Sequence, residues 1–307
     1  MRTTLRPTAV PDAPAVDPRG VARRVFLDRE RRPRVGWRLL TYLILVVAAT
    51  GGLSAVFEGA SLAVRTAVHM AAVTLVVAIT YVFRRFVDRR PWRDIGLTAG
   101  RRPVRTAAAG FGGGLLAMGG FFATAWALGW ARVTGTELAE RSLGGVTALL
   151  AAGVVMYGAS SVFQEVAFRG YFFQNLAEAH SVRWGAIVSS VIFAALHFPD
   201  GASSPLFAVV LLVDLTAIAC FFVLTRLRTG ALWMAIGFHT GWNWAMDNVF
   251  SLDTAAGRDY GNALIHVRLH GPSLGLGQDG GVELLYAVTS TLVLTGYWLF
   301  TRGRAES

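Results

Sequence analysis

The 307-residue chain contains no lysine, one cysteine and little charge of either sign. All 29 basic residues are arginine; charged residues make up 16% of the chain and hydrophobic ones 54%. So few charges do not keep a soluble domain of this size in solution, which excludes the water-soluble classes. The one thiol, Cys220, lies in an apolar run; it excludes a disulfide framework and a thiolate metal centre, and reads as a small packing residue. Without lysine there is no phosphate loop. There is no His-Glu-x-x-His, and Gly158-Ala159-Ser160 continues with Ser161 rather than glycine, which weakens the classical zinc and serine intramembrane protease readings. No internal repeat of the inverted-transporter kind is present, and residues 1–36 hold no signal-type apolar segment.

What remains is a polytopic pattern. Residues 1–36, with nine arginines, four acids and several prolines, read as a disordered basic cytoplasmic tail lying against anionic lipid. Residues 37–303 read as a transmembrane helical domain. Its apolar runs fall at about 38–57, 62–83, 106–131, 147–177, 184–199, 205–225, 230–250 and 282–301. Most approach the ~20 residues that cross a bilayer as a helix, giving an all-α membrane protein of about eight spans. The net charge of +10 does not imply nucleic acid, because the arginines lie between the apolar runs. The tail, the 84–105 loop, Arg226 and Arg228, and Arg302 and Arg304 share one side of an eight-span layout. Arg65, Arg132, Arg141, Arg258 and Arg268 fall on the other, so both termini are placed in the cytoplasm and the protein in the cell membrane. The glycines at 110, 112, 113, 114, 119 and 120 of the third run predict close helix packing.

Three polar sets interrupt the apolar runs: Glu165 with Arg169, His197 four residues after Phe193, and His239 with Asn243 and Asp247 on one helix face. A charge at membrane depth costs at least a few kcal/mol and faces a partner or a wet cavity. Counted from the turn near Ser181, Glu165 and His197 each lie roughly 24 Å up their helices, and His239 lies roughly 15 Å from Thr229. The three sets therefore share an intramembrane layer around a polar cavity. A buried carboxylate with two imidazoles and an amide suits hydrolysis. The carboxylate activates water; then either Glu165, His197 and His239 bind zinc, or His239 and Asn243 face a developing oxyanion. Both mechanisms stay open at this point. The bland alternative is that Glu165 and Arg169 are a structural i,i+4 pair and the histidines packing residues.

At these positions the chain resembles the CAAX protease and bacteriocin-processing family, also called the Abi family, of polytopic membrane endopeptidases. The family motifs Glu-Glu-x-x-x-Arg, Phe-x-x-x-His and His-x-x-x-Asn appear as Gln164-Glu165-x-x-x-Arg169, Phe193-x-x-x-His197 and His239-x-x-x-Asn243, in order, within about 150–250. The resemblance implies peptide-bond hydrolysis inside the membrane, on a peptide or protein substrate. It carries catalytic expectations onto Glu165, His197, His239, Asn243 and Arg169. The departure is Gln164, where the family has its usual base. An amide accepts no proton at neutral pH, and the adjacent Glu165 points roughly 100° away around the helix. The alternative reading is a catalytically impaired member that binds a peptide or partner protein, for example in bacteriocin immunity; a transporter is a third.

Four further features carry less. His266 and His270 have helical ligand spacing but lie in the 251–280 loop, which reads as solvated. Gly275-Leu276-Gly277-Gln278-Asp279 approximates a glycine–aspartate protease signature with one residue too many. Asp214 reads as a candidate for lining the cavity, and His69 shows no partner in the sequence.

Overall fold

A computed structural model of the chain describes residues 25–28, 30–52, 62–198, 204–252, 263–276 and 280–302. Residues 1–24 of the expected tail, Arg258, and the end of the glycine–aspartate stretch lie outside these. The elements in order are α1 (Val35–Val47), α2 (Leu62–Val82), α3 (Arg101–Ala127) and β1 (Ala131–Thr136). There follow α4 (Leu143–Glu165), α5 (Phe173–Ala179), α6 (Val182–Ala195), α7 (Pro205–Thr229), α8 (Trp233–Trp244), β2 (Ile265–Leu269) and α9 (Gly280–Arg302). Single π-helical stretches extend α1, α2 and α8, and one at Val166–Phe172 joins α4 to α5.

The protein is an all-α polytopic membrane fold. Among the described residues, six helices are long and apolar enough to cross a membrane: Val35–Gly52, Thr66–Val87, Arg101–Ala127, Leu143–Ala179, Pro205–Thr229 and Gly280–Arg302. The other two expected spans are shorter. α6 has 14 residues and ends at Ala195, and α8 has 12 before its π turn at Ala245–Val249. At 1.5 Å per residue, α6 is only about 21 Å long. His197 therefore lies just beyond a helix end, not within a span.

Serine caps start α4, α6 and α7: Ser142, Ser181 and Ser204 each accept a backbone N–H of the first turn. Pro205 follows its cap at the first helical position, where a missing N–H costs nothing. α7 ends on Gly230 in the left-handed region (φ 69°).

Two large apolar clusters fill the interior, with a smaller one around Ile95, Val166, Leu232 and Ile236. One joins Met118, Phe121, Phe221, Phe238, Trp242 and Tyr286 of α3, α7, α8 and α9. The other joins Leu39, Tyr42, Val76, Phe168, Phe172 and Phe193 of α1, α2, the Val166–Phe172 stretch and α6. α3 and α8 make the most extensive helix contact. Gly110 and Gly114 of α3 sit directly on the backbone of α8 around Met234, Phe238 and Trp242, and Gly237 and Gly241 of α8 on the carbonyls of Ala107 and Phe111. The packing expectation thus holds for Gly110 and Gly114. Gly112, Gly119 and Gly120 face open space.

Two differences concern the polar ends. Residues 30–36 of the expected tail, with 25–28, form a turn: Leu27 bridges Pro33, Arg32 bonds Asp28, and Arg32 Nη1 donates to the Asp88 carbonyl at 3.1 Å. At the end opposite the 88–100 loop, β1 and β2 pair antiparallel with a bulge between Val133 and Gly135. His266 is therefore in a strand, packed on Gly135, and the helical spacing to His270 does not exist.

A Cβ at position 237 would collide with the Ala107 carbonyl, a backbone atom that cannot turn aside. Gly237→Val is expected to cost about 1–3 kcal/mol or more, read as a lower midpoint for heat-induced unfolding in detergent. Gly112→Ala, which meets nothing within 4 Å, leaves the midpoint unchanged or higher.

Candidate active site

Glu165 ends α4 and is fully buried. Its Oε1 accepts from Arg169 Nη1 at 3.2 Å and from His239 Nδ1 at 3.0 Å. Oε2 has no hydrogen-bond partner among the described residues. Arg169 lies in the π-helical Val166–Phe172 stretch, a winding that often marks functional sites. Its Nη2 donates to the Ala219 carbonyl of α7 at 3.2 Å, and its guanidinium covers the rings of Phe193 (4.3 Å) and Phe222 (4.9 Å). Phe193 belongs to one apolar cluster and Phe222 to the other, so the buried pair occupies the seam between them. His239 stacks on Phe222 at 4.9 Å.

The neighbouring position has a different partner, as the 100° rotation predicts. Gln164 Oε1 lies 3.2 Å from His197 Nε2, while His197 Nδ1 lies 2.7 Å from the Phe193 carbonyl. A carbonyl only accepts, so Nδ1 carries the proton. A neutral ring then presents Nε2 as an acceptor, and the Gln164 amide completes the contact by turning its NH2 toward it; an imidazolium would donate to Oε1 instead. Phe193 touches both imidazoles, with ring centroids 4.1 Å from His197 and 6.3 Å from His239. Asn243 stands one turn beyond His239 on α8, half-buried and without a side-chain hydrogen bond among the described residues. Six of the seven motif residues, Gln164, Glu165, Arg169, Phe193, His197 and His239, are thus linked by direct contacts, and Asn243 stands one turn away on α8.

The donor set bears on the zinc option. With His239 Nδ1 on Glu165 Oε1 and His197 Nδ1 on a carbonyl, the atoms left to face a metal are Glu165 Oε2 and the two Nε2 atoms. Among the described residues, no group of three or more His, Cys, Asp or Glu side chains is arranged to hold a metal ion. These side chains, as placed, do not fit a zinc site.

Residues 146–245 match the family model described as type II CAAX prenyl endopeptidase Rce1-like. The chain is similar to those endopeptidases over a third of its length. The resemblance drawn from the three motifs falls in this Rce1-like region, which runs from α4 to the start of the π turn after α8. No curated protein matches the chain.

Several polar contacts were not legible in the sequence. Asp88 is fully buried and gathers Arg38, Tyr171 (3.3 Å), Asn175 (3.1 Å) and, at 3.6 Å, Arg84. Arg84 continues to Glu178 at 2.7 Å. This cluster ties α1 and the end of α2 to the Rce1-like region one to three turns below Arg169. The one sequence signal was Arg38 inside an apolar run. His69 does have a partner, Ser160 Oγ at 3.0 Å. Asp214 accepts from Ser290 of α9 at 2.5 Å, a helix–helix bond rather than a cavity wall. Tyr157 of α4 donates to Asp247 beyond α8. A groove of about 690 Å³ runs between α3, α4 and α8, lined by Ala107, Phe111, Val154, Trp233, Gly237 and Thr240, the last adjacent to His239.

Removing one member of a buried pair strands the other. Arg169→Met is expected to cost about 3–5 kcal/mol, and the Glu165→Gln/Arg169→Met double variant clearly less. Denaturant titrations of the purified variants measure the difference.

Proposed function

We propose that the protein is an intramembrane endopeptidase that hydrolyses peptide bonds of membrane-associated protein or peptide substrates. The observation that carries this reading is the buried Glu165 carboxylate, with one oxygen held by Arg169 and His239 and the other without a partner among the described residues, in a region similar to type II CAAX prenyl endopeptidases. Glu165 Oε2 takes a proton from water as the water oxygen bonds to the substrate carbonyl carbon. The C–O double bond becomes a tetrahedral oxyanion. Asn243 offers that oxygen an amide N–H. The oxyanion then collapses, the C–N bond breaks, and the amine leaves with the proton Glu165 had taken.

His239 acts here through Glu165. Its Nδ1–H is given to a carboxylate, so the neutral ring keeps Nε2 as an acceptor and serves as an oxyanion donor only when doubly protonated. His197 presents Nε2 on the adjoining wall, where it relays that same proton from Glu165 to the departing amine. Gln164 holds its ring rather than serving as base. No step is routed through a metal. The arginine-rich end, carrying both termini, faces the cytoplasm of the cell membrane in this reading.

Gln164 also favours a second reading, a member of the same fold that binds a peptide or partner without cleaving it. The two separate cleanly. As an enzyme, the protein with His197→Ala inserts normally but no longer cleaves its native substrate, scored by comparing membrane peptides of cells expressing each form. Glu165→Gln likewise abolishes cleavage and the biological effect. If that effect survives Glu165→Gln, the binding reading replaces the enzymatic one.

A further inference from the structure

Ser161 stands one turn before Glu165 on the same face of α4. Its side chain is fully buried and its hydroxyl has no hydrogen-bond partner among the described residues, as is also true of Glu165 Oε2. Several helical threonines bond the carbonyl four residues back: Thr74 to Met70, Thr106 to Arg102, Thr124 to Gly120, Thr240 to Ile236. Ser161 does not do so with Tyr157. A buried hydroxyl and a buried carboxylate oxygen left unbonded are each costly, because both have given up their hydrogen bonds to water. One shared hydrogen-bonding partner relieves both.

What lies opposite is set by register. α4 and α8 run antiparallel, joined by hydrogen bonds of Tyr157 with Asp247, of Glu165 with His239 and of the Trp244 indole with the Leu150 carbonyl. Between the Tyr157–Asp247 and Glu165–His239 bonds lie eight residues on each side, the last few before Asp247 wound as a π turn. Ser161 and Asn243, each four residues from its Glu165 or His239, therefore come to comparable height. The Ser161 hydroxyl and the Asn243 amide, neither with a side-chain partner among the described residues, thus lie at one height of the α4–α8 interface, one turn from the unbonded Glu165 Oε2.

We propose that Ser161 Oγ, Glu165 Oε2 and the Asn243 amide bind one buried water, and that Ser161 is the residue that positions it. A water with two to four polar partners is the usual occupant of such a site. It donates one hydrogen to Glu165 and one to Ser161 and accepts from an Asn243 N–H. One lone pair is left free. The water site stands on geometry alone; that this water is the attacking one rests on the peptidase reading. In that role its Glu165-bonded proton passes to Oε2 while the free lone pair forms the bond to the carbonyl carbon.

Hydroxyl-radical footprinting by X-ray pulses in H₂¹⁸O, on the full-length protein in lipid nanodiscs, tests the site without a substrate. A bound water beside Glu165 delivers oxidation to His239, which is expected to be labelled in the wild type. Ser161→Ala should lower that label several-fold and Ser161→Thr, which keeps a hydroxyl, should retain it. Ser160→Ala, whose hydroxyl belongs to His69, should leave it unchanged. An unlabelled His239 in the wild type, equal labelling in Ser161→Ala, or an equal loss in Ser160→Ala overturns the assignment. With a cleaved peptide in hand, Ser161→Ala should lower kcat about tenfold with KM little changed, as expected for a misplaced reactant. If the wild type cleaves nothing, the peptidase reading fails while the footprint still decides the water site.

Discussion

A carboxylate cannot be carried to membrane depth unpaired, and the arrangement around Glu165 follows from that constraint. Neutralisation requires Arg169 within one turn, and Arg169 in turn requires an acceptor and a polarisable surface for its remaining face. The Ala219 carbonyl and the rings of Phe193 and Phe222 provide them. Those rings belong to different apolar clusters, so the ion pair is also where the two halves of the bundle are joined. One carboxylate oxygen is spent on this role. The other has no hydrogen-bond partner among the described residues.

Close helix approach makes the same geometry possible on the other side of the site. His239 reaches Glu165 from α8, and α8 is seated by glycine-to-backbone contacts on α3 at four places. Bulky residues there would push α8 outward and draw the imidazole from the carboxylate. The Asp88 cluster performs the corresponding task for the other face. It anchors α1 and α2 to the segment that carries Arg169 with buried, charge-assisted bonds rather than close backbone contact.

The sequence made the site legible where spacing alone decides neighbours. Glu165 with Arg169, Phe193 with His197, and His239 with Asn243 are each four apart, and polar residues in apolar runs have few places to face. That the three sets meet followed from length and rise. The rest was hidden for a physical reason: its partners are distant in the chain. Asp88 sits among arginines in what reads as a topological loop, and its ligands come from positions 38, 171 and 175. The strand pair hides in segments that look like loop, since β1 finds β2 more than 120 residues later. Helix ends were misplaced where a π turn or a short helix broke the expected span, and His197 fell outside α6 for that reason.

That last displacement gives the site unequal stiffness. Gln164, Glu165, Asn243 and His239 are set in helix, where the backbone that carries each is held by the hydrogen bonds of its turn. His197 is attached past the end of α6 and is held by its contacts to the Phe193 carbonyl and Gln164. It can swing out of the site, and back, at the cost of those contacts and no helical bond. In the peptidase reading, making room for a bulky chain then falls to one side chain, with the wall that bears the charge standing still.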